Sequence, residues 1–246
     1  MVKMYLAQLP SMRERPLPPN TLLTHTTHRF FPPPARPWLM AQSWSDLLFA
    51  HWPVRPDALR PLLPPTLPLD TYDGWAWVGV VPFVMGYIRG HGLPPIPGTT
   101  FLLELNVRTY VTINDQPGVW FFSLDANNPL IVMGARLGFK LPYLNATMGI
   151  SREEEVLRYV SRRRDPRAPA ASFRADYEPS SPVFLAQPGS LEHWLTERYV
   201  LYTADRRGTI YGGHIQHGQW PLQPAEADIR QNTMAAAAGI ELPDRG

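Results

Sequence analysis

Between Leu102 and Val111, apolar and polar side chains alternate with a period of two, the spacing of a strand whose two faces differ. Leu103, Leu105, Val107 and Val111 fall on one face; Glu104, Asn106, Arg108 and Tyr110 fall on the other. Phe101 to Ile113 is therefore expected to be a strand, and Asn114 to Gly118 a hairpin connection into Val119 to Asp125. Upstream, Asp73-Gly74 marks a turn, and Trp75 to Val81 is rich in the aromatic and β-branched residues that favour strands. Pro82, which lacks a ladder donor, points to an edge or a bulge there. Later strands are expected over 156–161, 171–177, 199–203 and 209–216.

Helical signals are short. Pro56-Asp57-Ala58-Leu59 carries proline in its first turn and is stopped by Pro61, Pro64 and Pro65. Residues 129–139 start at Pro129, and Ser190 to Thr196 has Glu192 and His193 near its start. Ala225 to Ala238 is rich in good helix formers and closes on Gly239. Many short strands, proline and glycine turns and few long helices predict a mainly β (α+β) chain, built as a closed or nearly closed antiparallel barrel. With no internal repeat, 38–246 reads as a single domain. Residues 1–37, with Pro32-Pro33-Pro34, read as an extended arm or loose tail able to wrap the domain or a partner subunit.

Composition narrows the function classes. A chain of 246 residues buries roughly 70–75% of its unfolded surface, so it needs no disulfide or metal staple. The absence of cysteine excludes disulfides, thiolate zinc sites and cysteine nucleophiles, and suits a reducing cytoplasm. Net charge is +2, and the basic residues are scattered apart from Arg162-Arg163-Arg164 beside Asp165, which reads as a solvated loop. A nucleic-acid partner would call for a denser basic stripe. The longest uncharged, mostly apolar run, Gly74 to Ile88, falls short of the roughly 20 residues of a membrane span, and the N-terminus shows no signal-peptide pattern.

The polar face of the 102–111 segment has two readings: a solvent-facing side, or the lining of a pocket organised by Glu104 and Arg108. Lys3 and Lys140 are the two lysines among the 23 basic residues, so Lys140 is the amine available away from the terminus. A helix continuing through 140 would bring Arg136 beside Lys140, and that cation together with apolar surroundings would make the amine nucleophilic. A surface lysine with its stem laid on apolar neighbours is the alternative. No metal site is expected. His214 and His217 fall on opposite faces of an extended segment, and His193 with Glu197 lacks a third ligand. Ser123 and Asp125 form no nucleophile elbow, no phosphate loop occurs, and Asn145-Ala146-Thr147 is a chance glycosylation match. No cofactor is expected.

Several strings resemble the YqjF-like family of uncharacterised bacterial proteins. They include Pro37-Trp38-Leu39-Met40, Leu47 to Val54 with His51-Trp52-Pro53, Asp73 to Phe83, and Glu104 to Val111. Phe121 to Ala126, Leu141-Pro142-Tyr143 and the tail from Trp220 to Met234 extend the likeness over residues 37 to about 234. More remotely, residues 52–148 are similar to acetoacetate decarboxylase and its relatives. That resemblance implies their barrel fold and a pocket glutamate at Glu104. It departs where those enzymes carry two adjacent lysines after a proline: this chain has Tyr143 and Leu144, and Lys140 precedes Pro142.

Three functions follow as expectations. The first is a protein binding a small polar, carboxylate or carbonyl molecule in the barrel interior, with Asn106, Arg108, Tyr110 and Arg136 around Glu104. The second is a lyase or related enzyme acting on a keto acid through Lys140 or Glu104. The third is an interaction module using the N-terminal arm.

Overall fold

The computed structural model describes residues 1–9 and 18–243. The strands of the wall are β1 (Lys3–Ala7), β2 (Met40–Ser45), β3 (Leu47–Val54), β4 (Ala76–Gly90), β5 (Leu102–Ile113) and β6 (Gln116–Ala126). They continue as β7 (Tyr143–Glu153), β8 (Val156–Arg163), β9 (Ser172–Pro179), β10 (Phe184–Leu185), β11 (Val200–Ala204), β12 (Ile210–His214) and β13 (Pro221–Asn232). Nine strands close a barrel in the order β6-β5-β4-β3-β1-β13-β9-β8-β7, and β7 returns to β6. Pairing is antiparallel around the ring except at that last seam, where Leu124, Asp125 and Ala126 lie parallel to Tyr143, Leu144 and Asn145. Parallel neighbours need a crossover, and the helix Pro129–Phe139 supplies it. Asn128 caps this helix by accepting from the amides of Leu130 and Ile131.

Three expectations change. The first residues are not a loose arm: Lys3–Ala7 is a barrel stave between β3 and β13, with Tyr5 opposite both Phe49 and Pro224. Five residues are too few to announce a strand by pattern; two flanking strands supply its hydrogen bonds. The segment 225–238 is mostly strand rather than helix. Ala225, Ala227 and Ile229 turn inward while Glu226, Asp228 and Arg230 turn out, and helix remains only as a short 3-10 turn, Ala236–Ala238. Pairing with β1 and β9 overrides the propensity of the alanines. Pro82 lies inside β4, at the point where one flanking neighbour changes. β3 pairs with residues 76–80 and β2 with residues 84–90. A residue without a donor fits that gap.

Along β3, β4 and β5 the wall is buried on both sides. Val78 and Val80 of β4 and Leu105 and Val107 of β5 meet Leu157, Tyr159, Ala175 and Tyr177 across the barrel, a packed apolar filling. The opposite face of the same strands lies under a second layer. The helix Pro129–Phe139 contributes Ile131 and Val132, the helix Leu191–Thr196 contributes Leu195, and Trp220 follows from the loop before β13. Among the described residues no helix is long and apolar enough to cross a membrane.

Candidate functional site

The polar row of β5 lies beneath that second layer. Glu104, Asn106 and Tyr110 are 3%, 4% and 0% exposed, so the face is not bathed in solvent. It is also the face turned away from the apolar barrel filling, since Leu105 and Val107 occupy that side.

Register explains how the row is assembled. Gly79 of β4 pairs with His51 on one side and Arg108 on the other. A methyl group at Gly79 would come within 3.1 Å of the His51 ring and 3.3 Å of Arg108 Cγ, so the missing side chain is what lets these two groups close over the strand. His51 Nε2 lies 2.6 Å from the Tyr110 hydroxyl. The Tyr110 ring packs against Trp194 at 4.8 Å, and the Arg198 guanidinium sits 5.0 Å from it while pairing with Asp70 at 2.7 Å. The Arg108 guanidinium lies 5.2 Å from the Phe49 ring centre and forms no ion pair among the described residues.

Burial and its neighbours set the protonation states. Desolvation raises the Glu104 carboxyl to a pKa of about 7. The Tyr143 hydroxyl, donating to Oε2 at 2.7 Å, and Asn106 oppose the rise, and the Asp125 charge adds to it. Burial, and then Arg108, hold His51 well below its ordinary value, so its ring is neutral. Arg108 donates to the Tyr110 oxygen. If the hydroxyl proton then goes to His51 Nε2, the neutral ring carries its own proton on Nδ1. Buried polar atoms without a partner in this patch include His51 Nδ1, Arg108 Nε and Asn106 Oδ1, with Trp77 Nε1 and Arg198 Nη2 beside Tyr110. Buried polar atoms ordinarily find partners, and these find none among the described residues.

Lys140 lies elsewhere. The helix stops at Phe139, and Lys140 caps it in the left-handed region (φ 56), with Pro142 two residues on. It therefore does not stack on Arg136 at helical spacing. It is exposed, with Nζ 3.6 Å from the Tyr211 ring centre, and so lacks the apolar enclosure that an activated amine requires. Arg136 reaches the site only through the backbone, donating to the Tyr143 carbonyl at 3.1 Å. Strand register instead puts Lys3 beside His51.

Of the arginine run, only Arg164 lies in an exposed loop. Arg162 and Arg163 end β8, and alternation turns Arg163 into the barrel. There it makes a two-pronged pair with Asp125 (2.9 and 2.8 Å), and also donates to Ser123 Oγ and the Pro169 carbonyl. Every partner is met, which marks this cluster as structural. His217 is buried against Tyr199, and burial brings its pKa to about 4. Among the described residues, no group of three His, Cys, Asp or Glu side chains is set to hold a metal ion.

Sequence reasoning missed His51 and Tyr143. The signal for His51 was one polar residue at an alternate position of the apolar run Leu47–Val54. Tyr143 carried none beyond its place after Pro142.

The family model of DUF2071, described as an uncharacterized conserved protein, matches residues 41–246. The chain belongs to the DUF2071 family. Within reach of it is the uncharacterized protein YqjF of Bacillus subtilis (strain 168), 48% identical over 207 residues, covering 84% of each chain. Among solved structures, this DUF2071 chain resembles the acetoacetate decarboxylase of Legionella pneumophila at a TM-score of 0.54 and 14% identity, covering 85% of this chain and 80% of that one. An acetoacetate decarboxylase-like enzyme from Sphingomonas wittichii RW1 gives 0.51 at 14% identity, covering 82% and 84%. The enduracididine biosynthesis enzyme MppR, in complex with pyruvate, gives 0.51 at 13% identity, covering 85% and 82%. At such identities the likeness is one of fold: the DUF2071 chain has an acetoacetate decarboxylase-like barrel.

Proposed function

We propose that this protein binds a small carboxylate or carbonyl compound against the polar row of β5. The observation that carries this is the trio of unpartnered buried atoms on His51, Asn106 and Arg108, beside a guanidinium with no carboxylate of its own. Arg108 and the His51 N–H would hold an anionic or enolised oxygen, and Asn106 Oδ1 would accept from a ligand hydroxyl. The pyruvate complex of MppR, a fold relative, favours the same ligand class. The absence of cysteine favours a cytoplasmic location, which cell fractionation would check.

Native mass spectrometry of freshly purified protein, followed by titration with a panel of 2-oxo and 2-hydroxy acids, tests the reading. Retention or binding of an acid by the wild type, lost in Arg108→Met, is expected. Wild type that takes up no member of the panel and carries nothing through purification would remove the proposal.

A catalytic reading has one observation in its favour: a carboxyl titrating near neutrality beside a tyrosine hydroxyl is equipped to move a proton. Solvent deuterium exchange into the C3 position of 2-oxo acids, compared between wild type and Glu104→Gln, tests it. Exchange equal to that of buffer leaves a binding protein. Borohydride trapping with peptide mapping tests the amine route separately, since a side-chain adduct would have to fall on Lys3 or Lys140 and is distinguished by mapping from one on the α-amino group.

A further inference from the structure

Away from the ligand row, and beyond the start of β7 where the helix Pro129–Phe139 covers Tyr143, the outer face of β7, β8, β9 and β13 is open among the described residues: Thr147, Val160, Arg162, Arg174, Glu178 and Glu226 are all exposed on it. Its charges are sorted by position along the strands. At one end Glu178 lies directly opposite Glu226, and Glu153 follows two strands away, across Val156. Like charges facing each other across a ladder are destabilising. The next row, Asp176 opposite Asp228, is relieved by Arg158 and Arg230, which pair with these carboxylates at 2.8–3.1 Å. No ion pair relieves Glu178 or Glu226 within the described chain.

The other end is basic. Arg162 stands between Thr147 and Ser172, Arg174 faces Val160, and Arg164 reaches the Thr147 hydroxyl at 3.2 Å. None of these three forms an ion pair either. Arg162 and Val156, which marks the level of Glu178, are six residues apart on β8, roughly 20 Å along a strand. Arg174 and Glu178 are nearer, four residues apart on β9 or roughly 13 Å, and both spans exceed the screening length of about 8 Å at physiological salt, so relief within one molecule is weak.

We propose that this face docks a second copy of the chain, around a two-fold axis parallel to the sheet, in front of the exposed face, and running across its strands. Such an axis reverses the strand direction, setting Arg162 and Arg174 of one copy over the acidic end of the other, twice. It leaves Val160 and Gly149 near the middle, where flat contact is possible. A uniformly charged partner fits less well: a polyanion attracted by the arginines would meet the glutamates a few residues further on.

Two charge-reversed proteins test the arrangement: R162E/R174E and E178R/E226R, each checked for native circular dichroism. Sedimentation velocity of the wild type is expected to show a dimer in low salt whose dissociation constant rises at least tenfold when salt is raised from about 50 to about 500 mM. Each variant alone should be monomeric, and an equimolar mixture should recover the dimer, because only the mixed pair opposes unlike charges at both ends. The neutral pairs R162Q/R174Q and E178Q/E226Q should weaken the dimer without abolishing it, and serve if a reversal fails to fold. A wild type that stays monomeric in low salt, a dimer indifferent to all four variants, or a mixture that does not reassociate would each overturn the proposal.

Discussion

The Tyr143 hydroxyl donates to Oε2 of Glu104 across 2.7 Å, joining residues 39 positions apart on β7 and β5. Tyr143 stands at the parallel seam that closes the barrel, opposite Leu124, while Leu144 pairs with Asp125 and turns to the other side of the wall. Adjacent residues thus serve opposite faces, and the buried carboxyl owes its partner to barrel closure.

Glu104 makes stability depend on pH with a definite sign. Its pKa rises from 4.5 to about 7 on folding, so between these values the native state holds a proton that the unfolded state has lost. Stability from this group is full below about pH 4.5 and is lost as pH rises through 7, a change on the order of 3 kcal/mol. Urea unfolding from pH 5 to 8 should show this fall in the wild type and a flatter profile in Glu104→Gln. Parallel profiles would mean the carboxyl is ionised throughout.

Arg163 and Asp125 form a buried pair in the barrel, with side chains 2% and 0% exposed. Removing one partner strands the other charge, so Arg163→Met should cost about 3–5 kcal/mol in denaturant unfolding. Arg163→Met with Asp125→Leu should recover most of that loss. A double variant as weak as the single one would place the effect in packing rather than charge.

Gly79→Ala puts a methyl group against His51 and Arg108. Overpacking of this kind costs about 1–3 kcal/mol. Because His51 must move from Tyr110, its ring resonances should shift while those of His217, in the second layer, do not. An unchanged His51 spectrum would show that the space over Gly79 admits a methyl group without moving the ring.

Deleting residues 1–7 removes the stave between β3 and β13 and exposes two unpaired edges. The truncated chain is expected to be insoluble or to lose cooperative unfolding, by thermal circular dichroism. Native stability after the deletion would mean that the barrel closes without β1.

Much of the wall was legible from the chain alone. The period-two run at 102–111 identified β5 and sorted its side chains correctly into two sets, and the turn at Asp73-Gly74 and the helix start at Pro129 bracketed their neighbours. The strand Lys3–Ala7 was hidden because five residues carry too little pattern. The strand at 221–232 was hidden because alanine favours helix until two flanking ladders claim its backbone.

Local spacing determined that Glu104, Asn106, Arg108 and Tyr110 share a face, because alternation is a property of the backbone alone. Only the tertiary structure decided that the face is buried, that Gly79 brings His51 to Arg108, that Tyr143 reaches Glu104, and that Lys140 stands apart. Those outcomes depend on strand register and ring closure between residues far apart in sequence, and alternation within one strand does not encode which strand lies beside it or what covers it.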